Sequence, residues 1–135
     1  MNLSAGSFDI KTGLSKRMQF TIRQQDSASY MGSGSLDVLA SPALVAYMEQ
    51  VSLELLHDFL PDYLSSVGVF ISLHHTAPAK LNTSFFCEAR IISIENRKIE
   101  FDIRAGNSSG ELGYAKHTRF LIDKKTFMDK LEATV

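Results

Sequence analysis

The 135-residue chain has little cysteine, little excess charge and no long apolar run. Its one cysteine, Cys87, excludes an internal disulfide framework and a cysteine-rich metal site, and suits a reducing compartment. A net charge of −1 provides no broad basic surface for nucleic acid or anionic lipid. No stretch matches a secretion signal or the roughly 18 apolar residues of a membrane-spanning helix. We therefore expect a soluble, cytoplasmic protein with no membrane or nucleic-acid partner.

What the chain does contain is enough apolar sequence for one folded domain. Its residues are 44% hydrophobic and 21% charged, as in ordinary globular proteins. A mass of 15.0 kDa corresponds to a single domain of usual size. Residues 1–15 are rich in serine, glycine and threonine without apolar periodicity, so we predict a flexible N-terminal leader there. The predicted domain spans residues 16–135.

The spacing of apolar residues changes from strand to helix and back again. Met18, Phe20 and Ile22 alternate with polar residues in a first strand. Ser41-Pro42 is a typical helix start, and the following pattern predicts a helix to about residue 59 or 60. Four runs of period two come next, namely VGVFISLHHT, SFFCEARIISI, KIEFDIRA and ELGYAKHTRFLID. Their short links predict an α+β fold, with the helix packed across an antiparallel sheet of about five strands; KKTFMDKLEAT is predicted as a last helix.

Glu49 occupies an unusual position in the predicted long helix. At about 100° per residue, it falls between Leu56 and Leu60, inside the apolar sector. Because an unpaired buried carboxylate is costly, such a group usually finds a partner, lines a wet cleft or has a raised pKa. The functional interpretation is a catalytic carboxylate. The alternative is a partly exposed flank of the helix, on which Glu49 reaches water.

His75 continues the apolar row of the second predicted strand, whereas His74 belongs to the opposite face. The other members of that row are Val69, Ile71 and Leu73. If the row faces the helix, His75 points inward towards Glu49, and the pair suggests acid/base chemistry. The alternative is a histidine that only forms a hydrogen bond in the core.

Ser41 supplies a hydroxyl at the start of the same helix. Its simplest role is an N-cap, in which the side chain accepts a backbone N–H. The positive end of a helix also stabilises anions, so a hydroxyl there can lie beside a developing oxyanion. The two roles are compatible.

The runs ASPALVAYME and VGVFISLHHTA together resemble the hot-dog-fold thioesterases related to fluoroacetyl-CoA thioesterase. In that family a hydroxyl residue at a helix start, usually threonine, precedes a glutamate by eight residues, and a histidine in an H-T-A motif follows. The matching residues are Ser41, Glu49, His75, Thr76 and Ala77, with Gly68 seven residues before the histidine and His117 and Arg119 as an H-x-R motif. The resemblance extends from about residue 16 to residue 127.

This resemblance implies a hot-dog fold, in which a curved antiparallel sheet wraps a long central helix. It also implies an acyl-CoA thioesterase that binds its substrate near the interface of a homodimer or dimer of dimers, without a cofactor beyond the substrate's own coenzyme A. The implied catalytic residues are Ser41, Glu49 and His75, and the implied substrate-binding residues are Gly68, Thr76, His117 and Arg119. The segment GSGSLDVL lacks the phenylalanine of the fluoroacetyl-specific enzyme, and Ser41 replaces the usual threonine, so the acyl group is left open.

Other patterns are weaker. GSGS lacks the G-x-x-x-x-G-K-[ST] pattern of a phosphate-binding loop, and a mobile lid is the interpretation we adopt. The four histidines show no metal-ligand spacing, so no metal is predicted. Two functions stay open, namely thioester hydrolysis and a non-catalytic module that binds acyl-CoA or another small ligand. A hydratase would need a different acid/base pairing on the helix, which the sequence does not contain.

Overall fold

The computed structural model describes residues 3–134 of the chain, so residues 1, 2 and 135 lie outside the account below. Within the described range, no helix combines the length and apolar character needed to cross a membrane. The strands are β1 (Ser15–Thr21), β2 (Leu64–His75), β3 (Ser84–Glu95), β4 (Lys98–Asn107) and β5 (Gly110–Asp123). The α-helices are α1 (Ala28–Met31), α2 (Ser41–His57) and α3 (Lys124–Glu132), and two 3₁₀ turns cover Ala5–Phe8 and Gln24–Asp26.

The five strands form one antiparallel sheet in the order β1-β3-β4-β5-β2. The connection between β1 and β2 therefore runs from one edge of the sheet to the other, and it carries α2 across one face, where α2 contacts β1, β2, β3 and β4. This confirms the predicted α+β fold with a long helix packed on a curved antiparallel sheet. The predicted last helix is also present, as α3.

The core lies between α2 and the inner face of the sheet. Strands β3 and β4 alternate between buried and more exposed residues, as the period-two pattern predicts. The helix buries the apolar face that its spacing indicated, made of Ala43, Leu44, Met48, Val51, Leu55 and Leu56. On β5 the inner face is different, because it includes two polar residues, His117 and Arg119, beside Ala115 and Leu121.

Strand β2 contains a bulge that the period-two pattern does not reveal. Gly68 pairs with Arg119 and Phe70 with Thr118, so Val69 has no opposite residue on β5. Before the bulge the even-numbered Leu64 and Ser66 are buried. The prediction that Val69 faces inward is wrong, since 56% of Val69 is exposed. Beyond the bulge the odd-numbered residues face the helix, so His75 is on the predicted side.

The segment before β1 packs against the domain. Ala5 is fully buried and its N–H donates to the carbonyl of Asn96 at 2.8 Å, and Ile10 is only 2% exposed. For residues 3–14 this differs from the flexible leader that we expected over residues 1–15. The reason is that Ala5 and Ile10, with Phe8 and Leu14 packed against the core beside them, hold the segment, and their spacing follows neither the helical nor the strand period. Residues 1 and 2 of that leader lie outside the described range.

Replacing Ile10 tests this packing. Because the side chain is buried among core residues, Ile10→Ala should lower the free energy of unfolding by about 2–5 kcal/mol. Lys11→Ala, at an exposed neighbour, should change it by less than about 0.5 kcal/mol. Urea unfolding followed by circular dichroism measures both values. Equal urea midpoints for the two variants would support the predicted flexible leader instead.

Candidate active site

Ser41 and His75 meet where α2 begins and β2 ends. Ser41 Oγ lies 2.7 Å from His75 Nδ1, and Ser41 is exposed. The predicted N-cap role is wrong, because Ala40 occupies the N-cap position and makes no side-chain cap bond. Ser41 is the first helical residue, and its hydroxyl is held by the imidazole instead of by a backbone N–H. The structure therefore brings together two of the three predicted catalytic residues.

His75 is suited to accept a proton. Burial lowers the pKa of its imidazole below 6.5, because desolvation disfavours the charged ring, while a backbone hydrogen bond with Ala77 acts in the opposite direction. Within the described part of the chain, Nε2 is buried without a hydrogen bond of good geometry. We assign the ring proton to Nε2, which leaves Nδ1 free to accept from Ser41.

Glu49 lies near the other end of β2. Its Oε2 is 3.7 Å from Arg119 Nη1, and its side chain is 41% exposed. A Cβ atom at Gly68 would come within 2.8 Å of the same Oε2, so a larger residue would displace the carboxylate from this position. Gly68 and His75 are seven residues apart on the strand, which is about 20 Å. The predicted pair of Glu49 and His75 is therefore not formed within one chain.

Arg119 and His117 form a buried network behind Glu49. Arg119 is 6% exposed, and it donates from Nε to Ser66 Oγ at 2.7 Å and from Nη2 to the Ser66 carbonyl at 3.0 Å. Its Nη1 lies 3.2 Å from His117 Nε2, and His117 Nδ1–H donates to the Phe70 carbonyl at 2.7 Å. Two polar residues that we predicted to bind substrate are thus oriented towards their own chain, where they support Glu49.

Burial also changes the protonation of this network. Desolvation lowers the pKa of His117 below 6.5, and the Arg119 charge acts in the same direction. Desolvation lowers the pKa of Arg119 too, and the Glu49 carboxylate opposes that change. A neutral His117 with its proton on Nδ1 can accept from Arg119 while it donates to Phe70. Sequence reasoning missed Ser66, the main partner of Arg119, because the bulge hides the fact that this residue faces inward.

A small recess of about 240 Å³ lies directly beside His75. Its walls are mostly apolar and are formed by Val38, Leu39, His75, Thr76, Ala77 and Pro78. Thr76 is exposed and donates from Oγ1 to Glu111 Oε2 at 3.0 Å, which ties the end of β2 to β5. Of the predicted substrate-binding residues, Thr76 is therefore the one that borders this recess.

A lid segment, residues 27–39, runs beside the recess and leads into α2. The hydroxyl of Tyr47 on α2 donates to Asp26 Oδ2 at 2.5 Å, and burial raises the pKa of Tyr47 to about 12. Ser29 is hydrogen-bonded to Asp37 across the segment. The sequence predicted a mobile lid over residues 32–39, which stays a prediction; in the structure α1 precedes that stretch, and the bridge from Val38 to Lys80 ties its end. The aromatic residue of the lid segment, Tyr30, precedes the GSGSLDVL run in which we looked for one.

A larger recess of about 730 Å³ lies on the outer face of the sheet, beside His74. His74 stacks on the Tyr114 ring, with the ring centroids 4.8 Å apart. The charged residues there pair with one another, as Arg104 does with Glu88 and Lys116 with Asp102. The contact between the Ser41 hydroxyl and the His75 imidazole lies on the opposite side of the sheet. Across residues 3–134, no three His, Cys, Asp or Glu side chains are grouped to hold a metal ion.

Comparison with known proteins finds a match to one family model. A family model described as fluoroacetyl-CoA-specific thioesterase matches residues 22–125. That range contains Ser41, Glu49, Gly68, His75 and Arg119. No curated protein sequence gives a match.

Solved structures support the same fold. A structure of the fluoroacetyl-CoA thioesterase FlK superposes with a TM-score of 0.86 at 20% identity, over 93% of this chain and 98% of that chain. A hot-dog-like protein from Thermanaerovibrio acidaminovorans gives a TM-score of 0.82 at 20% identity, over 90% of each chain. A Thermus thermophilus protein described as a thioesterase superfamily member gives 0.82 at 18% identity, over 91% of each chain. These likenesses establish the hot-dog fold.

The lowered histidine pKa values can be measured directly. Signals of His75 and His117 in NMR titrations should have midpoints below 6.5. Because both rings bind protons less readily in the folded than in the unfolded chain, stability should fall as the pH drops below about 6.5. Urea midpoints at pH 7.5 and 5.5 check that sign, and His75→Gln should reduce the difference. Midpoints at or above 6.5 for both rings would contradict the assigned environments.

Proposed function

The chain belongs to the fluoroacetyl-CoA-specific thioesterase family and is an acyl-CoA thioesterase, and we propose that Ser41, His75 and Glu49 carry out the hydrolysis. The observation that carries the proposal is the 2.7 Å contact between Ser41 Oγ and His75 Nδ1. A hydroxyl bonded to a neutral imidazole is the usual arrangement for activating a nucleophile.

The first half of the proposed site is Ser41 with His75. The imidazole accepts a proton either from Ser41 Oγ or from a water molecule that Ser41 positions. Because Ser41 opens a helix of 17 residues and Pro42 has no N–H, the N–H groups of Ser41 and Ala43 are the first-turn donors that can stabilise the oxyanion of the attacked carbonyl. Attack by Ser41 forms an acyl-serine as the carbon–sulfur bond breaks, the His75 imidazolium gives its proton to the leaving coenzyme A thiolate, and water then hydrolyses the acyl-serine to the acid. Attack by water breaks the same carbon–sulfur bond and gives the acid and the coenzyme A thiol directly. Either route uses only water besides the substrate.

The second half of the proposed site is the Glu49 carboxylate, which lies against Gly68 and forms an ion pair with Arg119. A carboxylate there can accept a proton from water or orient the attacking group. Since Glu49 and the His75 of the same chain are about 20 Å apart, judged from the rise of the strand, one chain cannot complete the set. The proposal therefore takes Glu49 from a second copy.

The edge strand β2 is suited to pair with that second copy. It is 12 residues long and, apart from two histidines, carries no ionisable side chain. Val69 and Phe70 on it are 56% and 55% exposed. The other edge, β1, is shorter and carries Lys16 and Arg17, charges that discourage pairing. We therefore place the dimer interface at β2, and a dimer of dimers stays a prediction.

A two-fold axis at β2 brings the two halves together. In an antiparallel pair centred between Ile71 and Ser72, each Gly68 lies opposite the partner's His75. The same axis therefore creates two equivalent sites, each with Ser41 and His75 from one protomer and Glu49 from the other. The apolar recess beside His75 favours an uncharged acyl group. A cytoplasmic location belongs to the proposal, since one thiol without a disulfide suits a reducing compartment.

A module that only binds acyl-CoA needs neither a hydroxyl hydrogen-bonded to an imidazole nor a carboxylate paired with a buried arginine. Alanine variants assayed by thiol release on a panel of short, branched and aromatic acyl-CoAs distinguish it from an enzyme. His75→Ala should lower kcat by about 10²–10⁴-fold, as expected for loss of a general base. Glu49→Ala should cause a comparable loss. His74→Ala, on the outer face, should keep kcat within about threefold of the parent.

Ser41→Ala separates the two routes. Near-complete loss of turnover, with an acyl adduct trapped on the parent chain and absent from the variant, indicates a serine nucleophile. A loss of only about tenfold indicates attack by water with Ser41 assisting. Full activity of both Glu49→Ala and His75→Ala on every accepted substrate would sink the proposed site.

A further inference from the structure

Helix α3 is exposed on all sides in the isolated chain. None of its nine residues is buried, although one side carries Phe127, Met128 and Leu131, which are 38%, 46% and 54% exposed. Tyr63, 54% exposed, accepts the Lys124 N–H at the start of this helix through its carbonyl, at 3.1 Å. We call these four apolar residues the α3 patch. A helix of nine residues is marginal in water unless its apolar side is covered, so the patch calls for a partner surface.

The lid segment carries a second exposed apolar surface. Tyr30, Met31 and Leu36 are 69%, 45% and 68% exposed. We call these three residues the lid patch. They belong to the segment that ends beside His75 and the small recess, where Val38 bridges to Lys80.

The α3 patch and the end of the lid segment lie at opposite ends of the same edge strand. The α3 patch is at the start of β2, because Leu64 pairs with Asp123, the residue before α3. The lid segment reaches the far end, where its residues Val38 and Leu39 line the recess beside His75. Antiparallel pairing of two β2 edges places opposite ends side by side. With the centre between Ile71 and Ser72, Leu64 of one protomer lies level with the partner's Ala79, next to the partner's lid segment.

We propose that the α3 patch of each protomer packs on the lid patch of its partner and closes the acyl site there. The inference rests on the proposed pairing at β2. Each chain has one α3 patch and one lid patch, so a single two-fold axis covers both pairs. The cover lies above the entrance to Ser41 and His75. Helix α3 is then a part of the substrate enclosure that the neighbouring subunit supplies.

Cross-linking tests the contact, and the chain offers a clean background for it. Cys87 is fully buried, and burial raises the pKa of its thiol to about 12, so it does not react. The double variant Met31→Cys/Met128→Cys is treated with a flexible bis-maleimide, because a disulfide requires Cα atoms within about 7 Å. We expect a covalent dimer of twice 15.0 kDa. Met31→Cys alone and Met128→Cys alone should stay uncross-linked.

Light scattering and activity of the untreated double variant separate the possible failures. An active dimer without a cross-link overturns the contact of α3 with the lid and leaves the proposed active site standing. A monomer at micromolar concentration overturns both. A cross-link within one chain also contradicts the proposal, since it would place the two patches side by side in a single copy.

A kinetic measurement gives an independent readout. Phe127→Ser/Leu131→Ser leaves Ser41 and His75 in place but removes the apolar cover. KM for the best acyl-CoA should rise by about tenfold while kcat stays within about threefold, because lost enclosure weakens binding more than chemistry. Lys125→Ser, on the polar side of α3, is the matched control and should change neither constant. An unchanged KM in the double variant would count against the enclosure.

Discussion

A bulge at Val69 decides which residues of β2 face the helix. Before it, Ser66 and Gly68 point inward, where they border Arg119 and leave room for Glu49. After it the inward positions change from even to odd numbers, so His75 reaches Ser41. A strand without the bulge could present one half of the site or the other, but not both. The contact of His75 with Ser41, and the space at Gly68 for Glu49, both depend on this one unpaired residue.

The buried charge of Arg119 explains why the second half of the site needs several residues together. A guanidinium removed from water is costly unless its donors are used, and a single partner is not enough. Ser66 takes two of the hydrogen bonds, His117 takes a third, and the Glu49 carboxylate supplies the opposite charge. Gly68 completes the set by leaving space for that carboxylate. The H-x-R motif, His117 and Arg119, thus holds the same Glu49 carboxylate for which Gly68 leaves space.

Regular patterns in the sequence were sufficient for the fold, because buried strands and a buried helix face each repeat many times. The alternation in KIEFDIRA and the spacing from Leu44 to Leu55 are of this kind, and both were confirmed. Single events were not predictable in the same way. Three features each depend on one contact between distant parts of the chain. They are the bulge at Val69, the packing of Ile10 and the hydrogen bond of Ser41 with His75. The separation of Glu49 and His75 could not be predicted either, because it depends on where each side chain lies along β2.

The central claim is that each active site combines Ser41 and His75 of one protomer with Glu49 of the other. It is tested most directly by co-expressing His75→Ala and Glu49→Ala chains with different tags and isolating the mixed dimer. Such a dimer contains one complete site and one that lacks both groups, so we predict about half of the wild-type activity, although each homodimer is nearly inactive. Activity no higher than that of the two homodimers would contradict the account, because it would mean that Glu49 and His75 act within the same chain.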